Sequence, residues 1–289
     1  MQNLRGAILS KIALSMCCLI FSVSAFADTS DIVASNNQLG IQSVLTNVDY
    51  TETGNGTLGT QTGTLDTETG AVPGIGLSLS MMNNLWLGND YFEAEFDYSR
   101  GYTNYTGALC TPTCGSYGSY VDTSSAVLTN FSFRYGSGIS FKDRFMLTPY
   151  AELGYHKWDR GLSYIQTETY TNNWLGIGAL GQYSPVSRLV LSANVMVGET
   201  FGSYITVNPT PGPGGNGFSG SLGNSTLYKV GISADYAFME HFHGTVGVDY
   251  TSFSYGMSAI YPVGGGFVAW EPDSKTNYTT VKVGVGYAF

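Results

Sequence analysis

The sequence predicts an all-β protein, a transmembrane antiparallel up-and-down β-barrel of ten strands, with eight strands the alternative. Three observations lead there. Ten stretches alternate apolar and polar residues with a period of two. The connections between them are alternately short and long. An export-type leader precedes a chain that nowhere reaches the ~18 consecutive apolar residues of a membrane helix.

Residues 1–27 read as that leader. Arg5 and Lys11 supply its positive start, "IALSMCCLIFSVSAF" its apolar stretch, and Ala25-Phe26-Ala27 a small-x-small cleavage site before Asp28. Cys17 and Cys18 lack the small preceding residue of a lipoprotein signal. The leader holds two of the twelve Lys and Arg and none of the 21 Asp and Glu, so the remaining 262 residues carry a net charge of −11. That balance argues against nucleic acid as a partner, which needs basic patches. Only 11% of residues are charged, against about 25% in soluble domains.

After a short N-terminal segment, 28–38, the barrel is expected over 39–289. "LGIQSVLTNVDYT" is its first and least regular stretch. "VPGIGLSLSMM" sets Ile75, Leu77, Leu79 and Met81 against Gly and Ser. "YFEAEFDYSRG" sets Phe92, Ala94, Phe96 and Tyr98 against Glu93, Glu95 and Asp97. "AVLTNFSFRY" and "FMLTPYAELGYHKW" follow, with Arg134, Glu152 and His156 on their polar faces. "NNWLGIGALGQY", "RLVLSANVMVG", "TLYKVGISADYAF", "GTVGVDYTSFSY" and "VKVGVGYAF" complete the set. Period-2 alternation places one set of residues on each face of a strand.

The short connections are "NNLWLGND", "GSGISFKD", "SPVS" and "MEH"; the long ones span roughly 52–71, 103–122, 159–171, 203–224 and 256–277. Membrane barrels alternate short turns and long loops in this way, with both chain ends on the short-turn side. A soluble β-sandwich would alternate within strands but follows no such loop rule. Aromatics cluster at segment ends, as interfacial girdles require. Trp86, Phe92, Phe141, Phe145, Phe238, Phe242, Tyr287 and Phe289 mark the short-turn side. Tyr50, Tyr98, Tyr155, Trp158, Trp174, Tyr228 and Tyr250 mark the other.

The A-x-A leader, "LTPYAELGYHKW", the loop alternation and the terminal "VKVGVGYAF" resemble small Gram-negative outer-membrane barrels of the OmpA and opacity-protein kind. The resemblance spans essentially the whole chain after the leader. It implies export to the cell outer membrane, a surround of outer-membrane lipid and lipopolysaccharide, and no cofactor. The roles it implies are those of adhesins, immune-evasion proteins, envelope stabilisers and narrow channels, some with a host or surface ligand held by the loops. Val283, Val285, Tyr287 and the terminal Phe289 resemble the C-terminal signal read by the barrel-assembly machinery.

If the apolar face meets lipid, the polar face lines the lumen. Its expected residues are Asp49, Glu93, Glu95, Asp97, Arg134, Glu152, His156, Lys229, Asp235, Asp249 and Lys282. Barrels near eight strands are just wide enough for side chains to fill them. A packed network of paired charges is therefore expected. The alternative is a narrow path that favours cations, given the acidic surplus.

No enzyme is expected. Barrel proteases resembling the omptins use an Asp pair and an Asp–His pair, and this chain has neither Asp-x-Asp nor Asp-x-His. The His-x-Ser of outer-membrane lipid deacylases is also missing. Glu152 and His156 lie four residues apart on one face, which suits a base and its orienting carboxylate or a plain hydrogen-bonded pair. His241 and His243 do not bring the three ligands a metal needs. "PGPGGNG" and "GGGF" lack the Lys-Ser/Thr of a phosphate loop and read as loop tips. In "CTPTC", Cys110 and Cys114 are the two cysteines left after cleavage and read as a disulfide in an oxidising compartment. The long connections are rich in Tyr, Ser, Thr, Gly and Asn, a composition that suits either contact with a ligand or simple shielding.

Overall fold

A computed structural model describes residues 29–108, 114–162 and 166–289. Ten long strands form its wall: β1 (Gln38–Asn55), β2 (Thr62–Asn83), β3 (Asp90–Gly107), β4 (Tyr120–Ser137), β5 (Phe145–Gly161), β6 (Thr167–Val186), β7 (Leu189–Val207), β8 (Thr226–Ala237), β9 (Phe242–Tyr255) and β10 (Asp273–Ala288). Each pairs antiparallel with its neighbours in sequence, and β10 also pairs with β1. The closing register runs from Gln38↔Ala288 to Thr53↔Asp273. The ten-strand reading holds and the eight-strand alternative falls. Closure leaves no open edge, the condition for a sheet in lipid. "VKVGVGYAF" is the closing strand, with Val283, Val285, Tyr287 and Phe289 facing out and Lys282 facing in.

The strands are longer than their alternating segments. β2 has 22 residues and β5 has 17, where about 9–11 cross a bilayer. The wall therefore continues beyond the membrane at the long-connection end. The outer face records the boundary. On β1, exposed Leu39, Ile41 and Leu45 give way to exposed Asn47 and Asp49. On β5, Leu153 and Tyr155 give way to Lys157 and Asp159; on β10, Val281 gives way to Thr279 and Lys275.

That extension corrects three expectations. The first connection shrinks to 56–61, the second to 108–119 and the third to 162–166. The fourth keeps only the short strand Phe218–Ser221 beside β7, and the fifth folds a hairpin of Tyr261–Gly264 and Phe267–Ala269. Asp49 points outward, not into the lumen. Above the lipid the outer face meets water and turns polar, so the apolar residues of the same strand move inside. For the same reason Tyr50, Trp158 and Trp174 are buried in the interior, not set in a girdle. Tyr98, Tyr155, Tyr228 and Tyr250 do face out. The short-turn aromatics Trp86, Phe141, Phe145, Phe238, Phe242, Tyr287 and Phe289 are exposed as a lipid-facing ring requires.

The N-terminal segment folds as helix α1 (Thr29–Ser35) at the short-turn mouth. Ile32 is fully buried there, and Asp31 Oδ2 accepts the Ser184 hydroxyl at 3.2 Å. Just beyond the helix, Asn36 and Gln182 exchange two amide hydrogen bonds, at 2.7 and 3.0 Å. One short turn is organised by Asp90, whose Oδ2 accepts the backbone N–H of Leu85, Trp86 and Leu87 at 3.0, 2.7 and 3.1 Å. Cys110 lies outside the described residues, and the expected Cys110–Cys114 pairing lies there with it.

Candidate functional site

The interior is filled in layers. At the short-turn end, β8 and β9 place Asp235 beside His243, with Oδ1 and Nδ1 2.6 Å apart. Gln38 Nε2 donates to the other Asp235 oxygen at 3.0 Å. The same Gln38 Nε2 also donates to the Ser35 carbonyl at the end of α1, at 2.6 Å.

The middle layer is built by register. Glu93 lies opposite Arg134 on β4, and Arg134 lies opposite Glu152 on β5. Directly opposite residues are the closest side-chain neighbours in a sheet. Arg134 accordingly bridges both, at 2.6 Å to Glu93 and 2.5 Å to Glu152. Lys229 comes from β8, across the lumen, to Glu152 at 2.5 Å and lies over the Trp174 ring at 4.0 Å. Trp174 Nε1 donates to Glu152 at 2.8 Å. Lys282 reaches from β10 to Asp97 and Glu95 on β3, at 3.0 and 3.2 Å, with Asp249 at 3.9 Å. These carboxylates are partnered, as buried charges must be.

Glu152 and His156 do not meet in any hydrogen bond among the described residues. His156 Nδ1 sits 2.7 Å from Asn130 Oδ1, and its Nε2 3.1 Å from the Tyr278 hydroxyl. A carboxylate held by two cations and an imidazole held by neutral groups do not make a base and its orienter. His241 and His243 also part company, since His241 Nδ1 faces the Ala288 carbonyl at 3.1 Å. Among the described residues no group of three or more His, Cys, Asp or Glu has the arrangement of a metal site.

The outermost layer escapes the sequence reading. Arg160 is almost wholly buried and binds Asp66 and Glu168 at 3.2 Å each, and Glu68 through Nε. Its guanidinium lies 4.8 Å from the Tyr50 ring and 5.5 Å from the Trp158 ring. Tyr50, Trp158, Tyr170 and Tyr255 form a chain of ring contacts across this level. All these carboxylates, with Glu271, fall inside stretches that their polarity marked as loops. A signal was present: Asp66 and Glu68, Trp158 and Arg160, and Glu168 and Tyr170 each sit two apart, hence on one strand face.

The fold and its interior define a closed, ten-stranded transmembrane β-barrel with a side-chain-filled lumen. Among solved structures, the chain is similar to the outer membrane protease OmpT from Escherichia coli, with TM-score 0.58 and 10% identity over 88% of this chain and 98% of that one. It is also similar to Ail, the attachment invasion locus protein of Yersinia pestis, at TM-score 0.34 and 10% identity over 88% and 99%. Neisserial surface protein A matches at 0.33 and 10% over 87% and 97%. The OmpT likeness supports the fold. No protein-family model matches the chain, and no curated protein matches it.

Proposed function

We propose that this chain is a non-enzymatic surface barrel of the outer membrane, acting through its outer rim and loops in adhesion, surface interaction or envelope integrity. The observation that carries this reading is the lumen. Helix α1, the Arg134–Glu152–Lys229 cluster and the Arg160 cluster obstruct it at three levels. In this reading the leader is cut near Ala27, the short turns lie in the periplasm, and lipopolysaccharide surrounds the outer half. The assembly machinery recognises Val283, Val285, Tyr287 and Phe289, and kinship with the OmpA and opacity proteins follows. The exposed Tyr102, Tyr117 and Val121 at the outer end are suited to contact, since Tyr offers large area at low entropy cost.

The test is whether loss of the outer connections 108–119 and 208–225 abolishes binding to cells, matrix or a surface ligand. Unchanged binding removes the adhesive role. A second reading, a narrow cation-preferring channel, is favoured by the middle layer, where Glu93, Glu95, Asp97, Glu152 and Asp249 outnumber Arg134, Lys229 and Lys282. Planar-bilayer recording separates the two. A silent barrel supports the first, and discrete cation-selective steps support the second.

A further inference from the structure

The connection between β9 and β10 is fastened at its neck and at its tip. At the neck, Ser258 N–H donates to the Glu271 carbonyl at 2.9 Å, and Glu271 N–H donates to Ser258 Oγ at 2.8 Å. At the tip, the hairpin of Tyr261–Gly264 and Phe267–Ala269 lies against the connection that follows β7. Phe218 and Tyr261 stack at 5.3 Å, Asn216 N–H donates to the Val263 carbonyl at 3.1 Å, and Val263 is buried.

Between neck and lumen, the Glu271 side chain is only 5% exposed and turns inward. Its Oε1 accepts the Tyr170 hydroxyl at 2.6 Å and the Tyr50 hydroxyl at 3.3 Å. The charged and titratable groups around it come from four strands: Tyr50 and Glu52 on β1, Asp66 and Glu68 on β2, Arg160 on β5, and Glu168 and Tyr170 on β6. One guanidinium faces five carboxylates, and Arg160 spends its bonds on Asp66, Glu68 and Glu168. Glu271 is left with neutral hydroxyls.

The geometry points to Glu271 as a proton-operated clasp that holds the 256–272 connection over the long-connection mouth in acid and loosens it as the pH rises. A protonated Glu271 fits between two tyrosines, whereas an ionised one adds a buried charge beside others of the same sign. Burial, then the neighbouring Glu168, push its pKa up to about 8, against the smaller opposing pulls of Tyr170 and Arg160. In an open loop the same carboxyl has its ordinary value of about 4.3. The closed form thus binds the proton more tightly than the open form. Closure is at full strength below about pH 4.3, weakens up to about pH 8 and is constant above that.

The test is hydrogen exchange of the Ser258 and Glu271 amides in the full chain, refolded into lipid nanodiscs, from pH 5 to pH 9. Protection is expressed relative to the intrinsic rate at each pH. We expect it to fall by up to about tenfold per pH unit below about pH 8, while the Tyr170 amide in β6 stays protected throughout. Glu271→Gln, uncharged at every pH, should stay protected with no slope. Tyr170→Phe, which removes the 2.6 Å bond, should lower wild-type protection at pH 5 towards its pH 9 level. A flat wild-type profile overturns the clasp. So does an unchanged slope or lost protection in Glu271→Gln, or full protection at pH 5 in Tyr170→Phe.

Discussion

Lys229 on β8 and Glu152 on β5 meet across the lumen at 2.5 Å, 77 residues apart in sequence. Glu152 is fully buried and also holds Arg134 and Trp174, so one carboxylate ties four strands together. Replacing it by Ala leaves Lys229 without its anion and Arg134 with Glu93 alone. Breaking one side of a buried pair costs about 3–5 kcal/mol, whereas replacing both partners by apolar groups costs much less. Glu152→Ala should therefore lower the urea midpoint of the refolded barrel strongly, and Glu152→Met with Lys229→Met should recover much of the loss. If single and double variants unfold at the same midpoint, the cluster is not a coupled unit.

The lipid boundary makes a sharp pair of expectations. Val285 and Asp49 both face outward, on the paired strands β10 and β1. Val285 lies in the apolar band, so Val285→Lys should cost up to about 2–4 kcal/mol, depending on depth. Asp49 stands in water above that band, and Asp49→Lys should change stability by no more than about 0.5 kcal/mol. Refolding into vesicles, followed by denaturant titration, measures both. Equal losses would mean that the band does not end between Leu45 and Asn47.

The contrast between those two residues also explains how far the sequence could be read. Strand number, closure and the direction of "VKVGVGYAF" were legible because, inside the bilayer, lipid demands apolar residues on one face only. Glu93, Glu95, Asp97, Arg134, Glu152, His156, Lys229, Asp235, Asp249 and Lys282 all stand on the interior face for that reason. Beyond the bilayer the rule reverses. Water takes the outer face, so Asp49 turns out and Tyr50 turns in. Strands there carry polar residues on the outside and a mixed charged and aromatic filling on the inside, which in sequence looks like loop. The Arg160 cluster was hidden by that reversal. Partners through the lumen were not legible either, because Lys229 and Glu152 stand three strands apart around the wall and are not joined by register.

The Asp90 turn should be a separate point of weakness. Its carboxylate accepts three consecutive backbone N–H groups and the Tyr135 hydroxyl at 2.8 Å. Asp90→Ala removes every acceptor, and Asp90→Asn keeps one oxygen. The refolded Ala variant should lose more of its thermal midpoint than the Asn variant. Faster proteolysis is expected within 84–89, with β3 and β4 still intact. Identical cleavage in wild type and the Ala variant would show that the turn holds its shape without the carboxylate.

The two obstructions nearest the short-turn end can be told apart by removing them in order. Helix α1 closes that mouth with Ile32 and a few hydrogen bonds from Asp31 and Asn36, all outside the middle layer. Deleting 29–36 exposes the Asp235–His243 level but leaves Arg134, Glu152 and Lys229 in place. The deleted protein should therefore fold and stay silent in planar bilayers. Adding Glu152→Ala and Lys229→Ala removes the crossbar of the middle layer as well, leaving the Arg160 level as the remaining barrier. Brief, small conductance steps are then expected, with cation preference because Glu93, Glu95, Asp97 and Asp249 still outnumber Arg134 and Lys282. Steady conductance from the helix deletion alone would show that α1 is the seal and that the charged middle layer already passes ions.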